Sequence, residues 1–105
     1  MPTANPDRVV ANLRQLAELG KYKTGVHRPS LTPQHVQSLH WLKGELEALG
    51  HRTVIDGIGN VFGFSQAKGR KLLSGSHLES QNHAGWLDGP LGVVYALEAA
   101  RVEHA

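Results

Sequence analysis

The stretch Leu72-Leu73-Ser74-Gly75-Ser76-His77-Leu78-Glu79-Ser80, followed by Trp86-Leu87-Asp88-Gly89-Pro90-Leu91-Gly92, decides how this chain is read. An apolar run ends in small residues with a histidine just past them. Eleven residues later an aspartate opens an apolar, helix-like segment. Lys71 to Gly75 predicts a short buried strand, and Gly89 to Val102 predicts a helix with Leu91, Val94, Tyr95, Leu97 and Ala99 among its apolar members. In an α/β protein, groups at the carboxyl end of a strand and at the start of the following helix converge on the crevice where ligands bind. His77 and Asp88 are therefore expected to meet. Imidazole plus carboxylate suits zinc or a similar divalent ion. Each residue also has a plainer role, His77 as a hydrogen-bonded turn residue and Asp88 as a helix N-cap worth about 1 kcal/mol. The strand, the histidine and the helix start standing together favour the site.

Working outward, Asn5-Pro6-Asp7 opens a first helix, with Asn5 as N-cap, Pro6 at the first helical position and Asp7 favourable to the dipole. Val9, Val10, Leu13, Leu16, Ala17 and Leu19 fall on one face, and Gly20 closes the helix. Lys21 to Ser30 reads as a polar connection. Thr32-Pro33 opens a second helix, with Leu31 placed to staple against Val36 and with Leu39, Leu42, Leu46 and Leu49 as its stripe, ended by Gly50. Arg52 to Ile55 and Asn60 to Phe64 read as strands of a hairpin turning through Asp56-Gly57-Ile58-Gly59. The order α-α-β-β-β-α predicts an α/β fold with helices packed on a small mixed sheet.

Composition narrows the function classes. With 105 residues and 40% hydrophobic content, the chain fits one small domain. The net charge is +2 and the basic residues are scattered, with Lys68-Gly69-Arg70-Lys71 as the one cluster, so nucleic-acid binding is not expected. There is no cysteine, hence no disulfide, thiolate ligand or thiol nucleophile. No apolar run reaches the ~18 residues of a membrane span, and the polar N-terminus does not read as a signal peptide. A cytoplasmic protein without membrane or nucleic-acid partners is the expectation.

Ser74-Gly75-Ser76-His77-Leu78-Glu79-Ser80-Gln81 together with Gly85-Trp86-Leu87-Asp88-Gly89-Pro90-Leu91-Gly92-Val93 resembles the first metal-binding block of the N-carbamoyl-L-amino-acid hydrolases, allantoate amidohydrolases and β-ureidopropionases. These belong to the larger clan of dinuclear zinc amidohydrolases and aminopeptidases. Gly57-Ile58-Gly59-Asn60-Val61-Phe62-Gly63 resembles the family's hairpin block. The likeness covers nearly all of this chain but only the N-terminal minority of a family member. It implies His77 as a terminal ligand of one metal and Asp88 as the carboxylate bridging two. Glu79 takes the position usually held by an aspartate that orients the histidine, one methylene longer here, and is this chain's contribution to catalysis besides the ligands. The implied cofactor is a pair of divalent ions, zinc with manganese, cobalt or nickel as alternatives.

The resemblance further implies that residues 1–105 are a partial, truncated catalytic domain, with the dimerisation domain, general base and remaining ligands absent. The expected function is the N-terminal portion of a metal-dependent amidohydrolase acting on C–N bonds of N-carbamoyl amino acids, allantoate or related small ureido or amide substrates, inactive in isolation. The alternative is a non-catalytic remnant or interaction module that keeps the fold. An aminopeptidase or deacylase of the same clan is a third possibility. An exposed sheet edge would favour self-association. Among the other candidates, His83 reads as a loop residue, His35, His40 and His51 as surface or boundary residues, and Trp86 as packing between loop and helix.

Overall fold

The structure is a computed structural model that describes residues 3–104. Helix α1 spans Pro6–Glu18 and begins as its sequence dictates, with the Asn5 side chain accepting a hydrogen bond from the Arg8 backbone N–H at 3.2 Å. Two short strands follow, β1 (Lys21–Tyr22) and β2 (Gly25–Val26), paired antiparallel. Helix α2 (Pro33–Ala48) leads into β3 (Arg52–Ile55) and β4 (Val61–Phe64), and α3 (Pro90–His104) closes the chain. The α/β expectation holds, with the sheet component realised as two separate antiparallel pairs. Among the described residues, no helix is long and apolar enough to cross a membrane.

The β3–β4 hairpin forms where the alternation placed it. Arg52 pairs with Phe64, Thr53 with Gly63, Val54 with Phe62 and Ile55 with Val61. Its turn is closed by Asp56, whose carboxylate accepts from the Ile58 N–H at 3.0 Å, the Asn60 N–H at 2.8 Å and the Asn60 side-chain amide at 2.9 Å. Those bonds, the Asn60 side chain's first, hold the carboxyl below its usual range. Ile55 and Val61 face the core, while Val54 and Phe62 are exposed on the other face.

The core is built from Leu13 and Leu16 of α1, Leu39 of α2, Val93 and Val94 of α3, and Leu78 from the segment between β4 and α3. A polar network runs beside it. Glu98 of α3 is 3% exposed and accepts from Arg8 Nε at 2.7 Å, Arg8 Nη2 at 2.5 Å and the Asn5 backbone N–H at 2.9 Å. Arg101 extends it to Asn12 of α1 at 2.7 Å and Glu45 of α2 at 3.0 Å. One carboxylate and one guanidinium thus tie all three helices together.

Four expectations are corrected. Lys71 to Gly75 is not a buried strand: the segment pairs with no strand among the described residues, and Leu72 and Leu73 are 101% and 91% exposed. A buried strand needs neighbours at its edges and layers over both faces, and this segment finds neither here. Lys21 to Ser30 is more than a polar connection, since it contains β1 and β2. The Leu31–Val36 staple is replaced by a polar cap. Leu31 has φ +65° and is 65% exposed, while its N–H donates to His35 Nδ1 at 2.8 Å. His35 is consequently buried rather than a surface residue, and burial pushes its pKa down.

Two predictions arise from this packing. Leu16 is fully buried, so Leu16→Ala should destabilise the chain by about 2–5 kcal/mol in urea unfolding. Glu98 is held at about 2, against 4.5 ordinarily, first by its hydrogen bonds from Arg8. A folded-state value below the unfolded one means that its contribution is complete above about pH 4.5 and is lost as the pH falls toward 2. Glu98→Gln should lower the urea midpoint at neutral pH, and the gap from wild type should shrink through that window.

Candidate metal centre

The site is built where the extended segment 77–80 passes the start of α3. Its residues alternate, as an extended chain requires. Leu78 and Ser80 are buried, whereas His77 and Glu79 turn outward. Leu78 enters the core and Ser80 donates its N–H to the Arg28 carbonyl at 2.8 Å, so the outward pair is fixed from behind. Val26 and Ala84 exchange both backbone hydrogen bonds, each at 2.9 Å, which returns the 81–85 loop toward β2.

The sequence-derived trio comes together. His77 Nδ1 lies against Glu79 Oε1 and 3.1 Å from the Glu79 carbonyl oxygen, while His77 Nε2 lies 3.4 Å from Asp88 Oδ1. Nδ1 faces two acceptors and Nε2 one, so the pairing favours the tautomer with its N–H on Nδ1. Nε2 then presents its lone pair toward the carboxylate. Glu79 is braced by the Ser30 hydroxyl, which donates to Oε2 at 3.3 Å. These groups line a cleft of ≈ 560 Å³ together with Gln81 and Gly85.

Gly89 makes the approach possible. Its φ is +93°, and a Cβ there would stand 2.4 Å from the His77 ring and from the His77 carbonyl oxygen. Any side chain would displace the imidazole or the helix start. Helix α3 begins at Pro90, so Asp88 lies just ahead of the first turn rather than forming its N-cap, and its side chain is 90% exposed. That leaves the carboxylate free for a ligand.

Two lone-pair donors held 3.4 Å apart fit a shared divalent cation. Nitrogen and oxygen ligands of one tetrahedral zinc, each about 2.0–2.2 Å from it, lie roughly 3.3–3.5 Å apart. Glu79 sits on the opposite edge of the ring and so does not join them as a ligand. Among the described residues, no group of three or more His, Cys, Asp or Glu side chains converges on one point.

The remaining histidines lie elsewhere. His83 has φ +47° and stacks on Tyr22 with ring centroids 4.1 Å apart, with His27 4.6 Å away on a tilted ring. His40 is exposed, and His51 is half-buried. Trp86 is partly buried against the core, a packing role. Sequence reasoning missed Ser30 and Arg28, both in the supposed polar connection. A lone arginine before a proline carries no periodic signal that distinguishes a buried side chain from a solvated one.

No protein-family model matches the chain. Curated relatives do. It is 32% identical over 99 residues to allantoate deiminase of Arabidopsis thaliana, covering 91% of this chain and 19% of that protein. It is 33% identical over 102 residues to N-carbamoyl-L-amino-acid amidohydrolase of Paenarthrobacter aurescens, covering 94% and 25%. Among solved structures, a hydantoinase/carbamoylase family amidase from Burkholderia phymatum superposes with TM-score 0.93 at 42% identity, covering 97% of this chain and 25% of that one. One from Burkholderia multivorans gives 0.86 at 28% identity, covering 94% and 25%. The chain thus spans about a fifth to a quarter of the length of the relatives it matches. Both the sequence over nearly its whole length and the backbone course through His77 and Asp88 say the same: this chain belongs to the N-carbamoyl-L-amino-acid amidohydrolase and allantoate deiminase family and corresponds to one part of such a protein.

Proposed function

We propose that this chain supplies one side of a divalent-metal site used to hydrolyse C–N bonds of N-carbamoyl amino acids, allantoate or related ureido and amide compounds. The observation that carries this reading is the facing pair, His77 Nε2 and Asp88 Oδ1 at 3.4 Å, in a chain related to allantoate deiminases and carbamoyl-amino-acid amidohydrolases. Zinc or a similar ion, when bound, supplies Lewis acidity and lowers the pKa of water. His77 would hold such an ion through Nε2, and Asp88 would bring a carboxylate whose second oxygen can reach another ion. Glu79 holds the Nδ1 proton, fixing the tautomer and the ring plane and making Nε2 a better donor. Ser30 in turn fixes Glu79.

Two converging donors fall short of the three protein ligands of a typical catalytic zinc. The 105-residue chain should therefore bind zinc weakly. Calorimetric titration should show binding that is abolished by His77→Ala and by Asp88→Asn and unchanged by His40→Ala. It should weaken on acidification, because metal ligands must be deprotonated. Tight binding that survives His77→Ala would move the metal elsewhere and sink the reading.

For the same reason the chain alone should not turn over N-carbamoyl amino acids or allantoate with added zinc, manganese or cobalt. Turnover that vanishes in His77→Ala would show a complete site. A second reading, a non-catalytic interaction module, draws on the exposure of Leu72 and Leu73, an apolar pair suited to self-association. In that case, sedimentation should show an oligomer that Leu72→Glu with Leu73→Glu dissolves, with zinc having no effect.

A further inference from the structure

The most unusual group outside the trio is Arg28. Its residue is 0% exposed, yet no carboxylate meets its guanidinium among the described residues. Nε donates to the Leu78 carbonyl at 2.8 Å, and Nη1 donates to the carbonyls of Leu16 at 2.6 Å and Leu19 at 2.8 Å. Nη2 is buried without a partner. The backbone of the same residue donates to Ser80 Oγ and accepts from the Ser80 N–H, both at 2.8 Å.

A cation buried among neutral acceptors with an N–H left over is costly, and an apolar side chain of that volume is often tolerated better. Burial accordingly lowers the Arg28 pKa. The geometry explains the choice of residue. Leu78 and Ser80 are the inward-facing neighbours of Glu79, and Leu78 follows His77 directly. The carbonyls of Leu16 and Leu19 lie at the end of α1, where that of Leu16 also accepts the capping Leu19 N–H at 3.0 Å. A rigid fork can donate in both directions at once, which a single ammonium on a flexible stem cannot.

We propose that Arg28 is the positioning residue of the His77–Glu79–Asp88 cluster, clamping the inward side of segment 78–80 to the end of α1 so that His77 and Glu79 are presented at fixed spacing to Asp88. What the cluster does rests on the metal-site reading above; how the segment is held does not. Arg28 touches no reacting group and acts through Leu78 and Ser80.

The test uses the whole chain as Arg28→Lys and Arg28→Met, with Arg8→Ala as a variant that weakens the Glu98 network far from the cleft. Three readouts are needed: amide hydrogen exchange at Ser80 and Ala84, the ring resonances of His77, and zinc affinity by calorimetry. In the Arg28 variants, exchange at Ser80 should quicken at least about tenfold relative to α2, the His77 resonances should shift, and zinc affinity should fall about tenfold or more, the usual loss when a ligand's support is removed. Arg8→Ala should lower the urea midpoint while leaving all three unchanged. Wild-type Ser80 exchange and His77 resonances in a folded Arg28 variant overturn the proposal, as does failure of both Arg28 variants to fold, which would make Arg28 a general stability determinant. Wild-type chain that binds no zinc overturns the metal reading instead, and exchange and resonances still decide the role of Arg28.

Discussion

The pairing of Val26–Arg28 with Ser80–Ala84 is the constraint on which the site depends. These are few residues, yet they join β2, which follows α1, to the segment that precedes α3. Once Val26 is bonded to Ala84 and Arg28 to Ser80, the register of the segment leaves no choice about which side chains face the cleft. A shift of one residue would turn Leu78 and Ser80 outward and bury His77 and Glu79. Such a register is held by burial: Leu78 belongs to the core cluster, and moving it out would leave a cavity there.

This explains how an exposed cluster can still hold a fixed spacing. His77 and Asp88 are solvent-facing and make few contacts of their own. Their spacing is inherited from the groups behind them, the Arg28 fork on one side and the close approach of Gly89 on the other. The helices are locked separately, by Glu98 and Arg101, about two to three turns along α3 from its start beside the cleft.

Much of this was legible from the residues themselves. Asn5-Pro6 and Thr32-Pro33 announce helix starts because their side chains satisfy free backbone N–H groups locally, and local chemistry survives translation into structure. The hairpin was legible from alternation and the Asp56-Gly57 turn. His77 and Asp88 are expected to meet where a strand end faces a helix start, and the family resemblance sets Glu79 beside the histidine; the three meet although the strand does not form. What failed was non-local. Leu72-Leu73 has the composition of a buried strand, but a strand exists only through a neighbour, and none lies beside it among the described residues. His35 reads as a surface or boundary residue by its chemical type, and Arg28 is passed over within a polar connection, because long-range acceptors such as the Leu78 carbonyl leave no mark near it in the sequence.

Gly89 carries a consequence beyond making room. The imidazole and the first turn of α3 are in contact through a position that tolerates no side chain, so neither can move without the other. Anything that repositions α3 must therefore alter the spacing of the His77–Asp88 pair. On the metal-site reading proposed above, thermodynamic linkage makes that coupling reciprocal: an ion that tightened the pair would bias the helix toward the same placement.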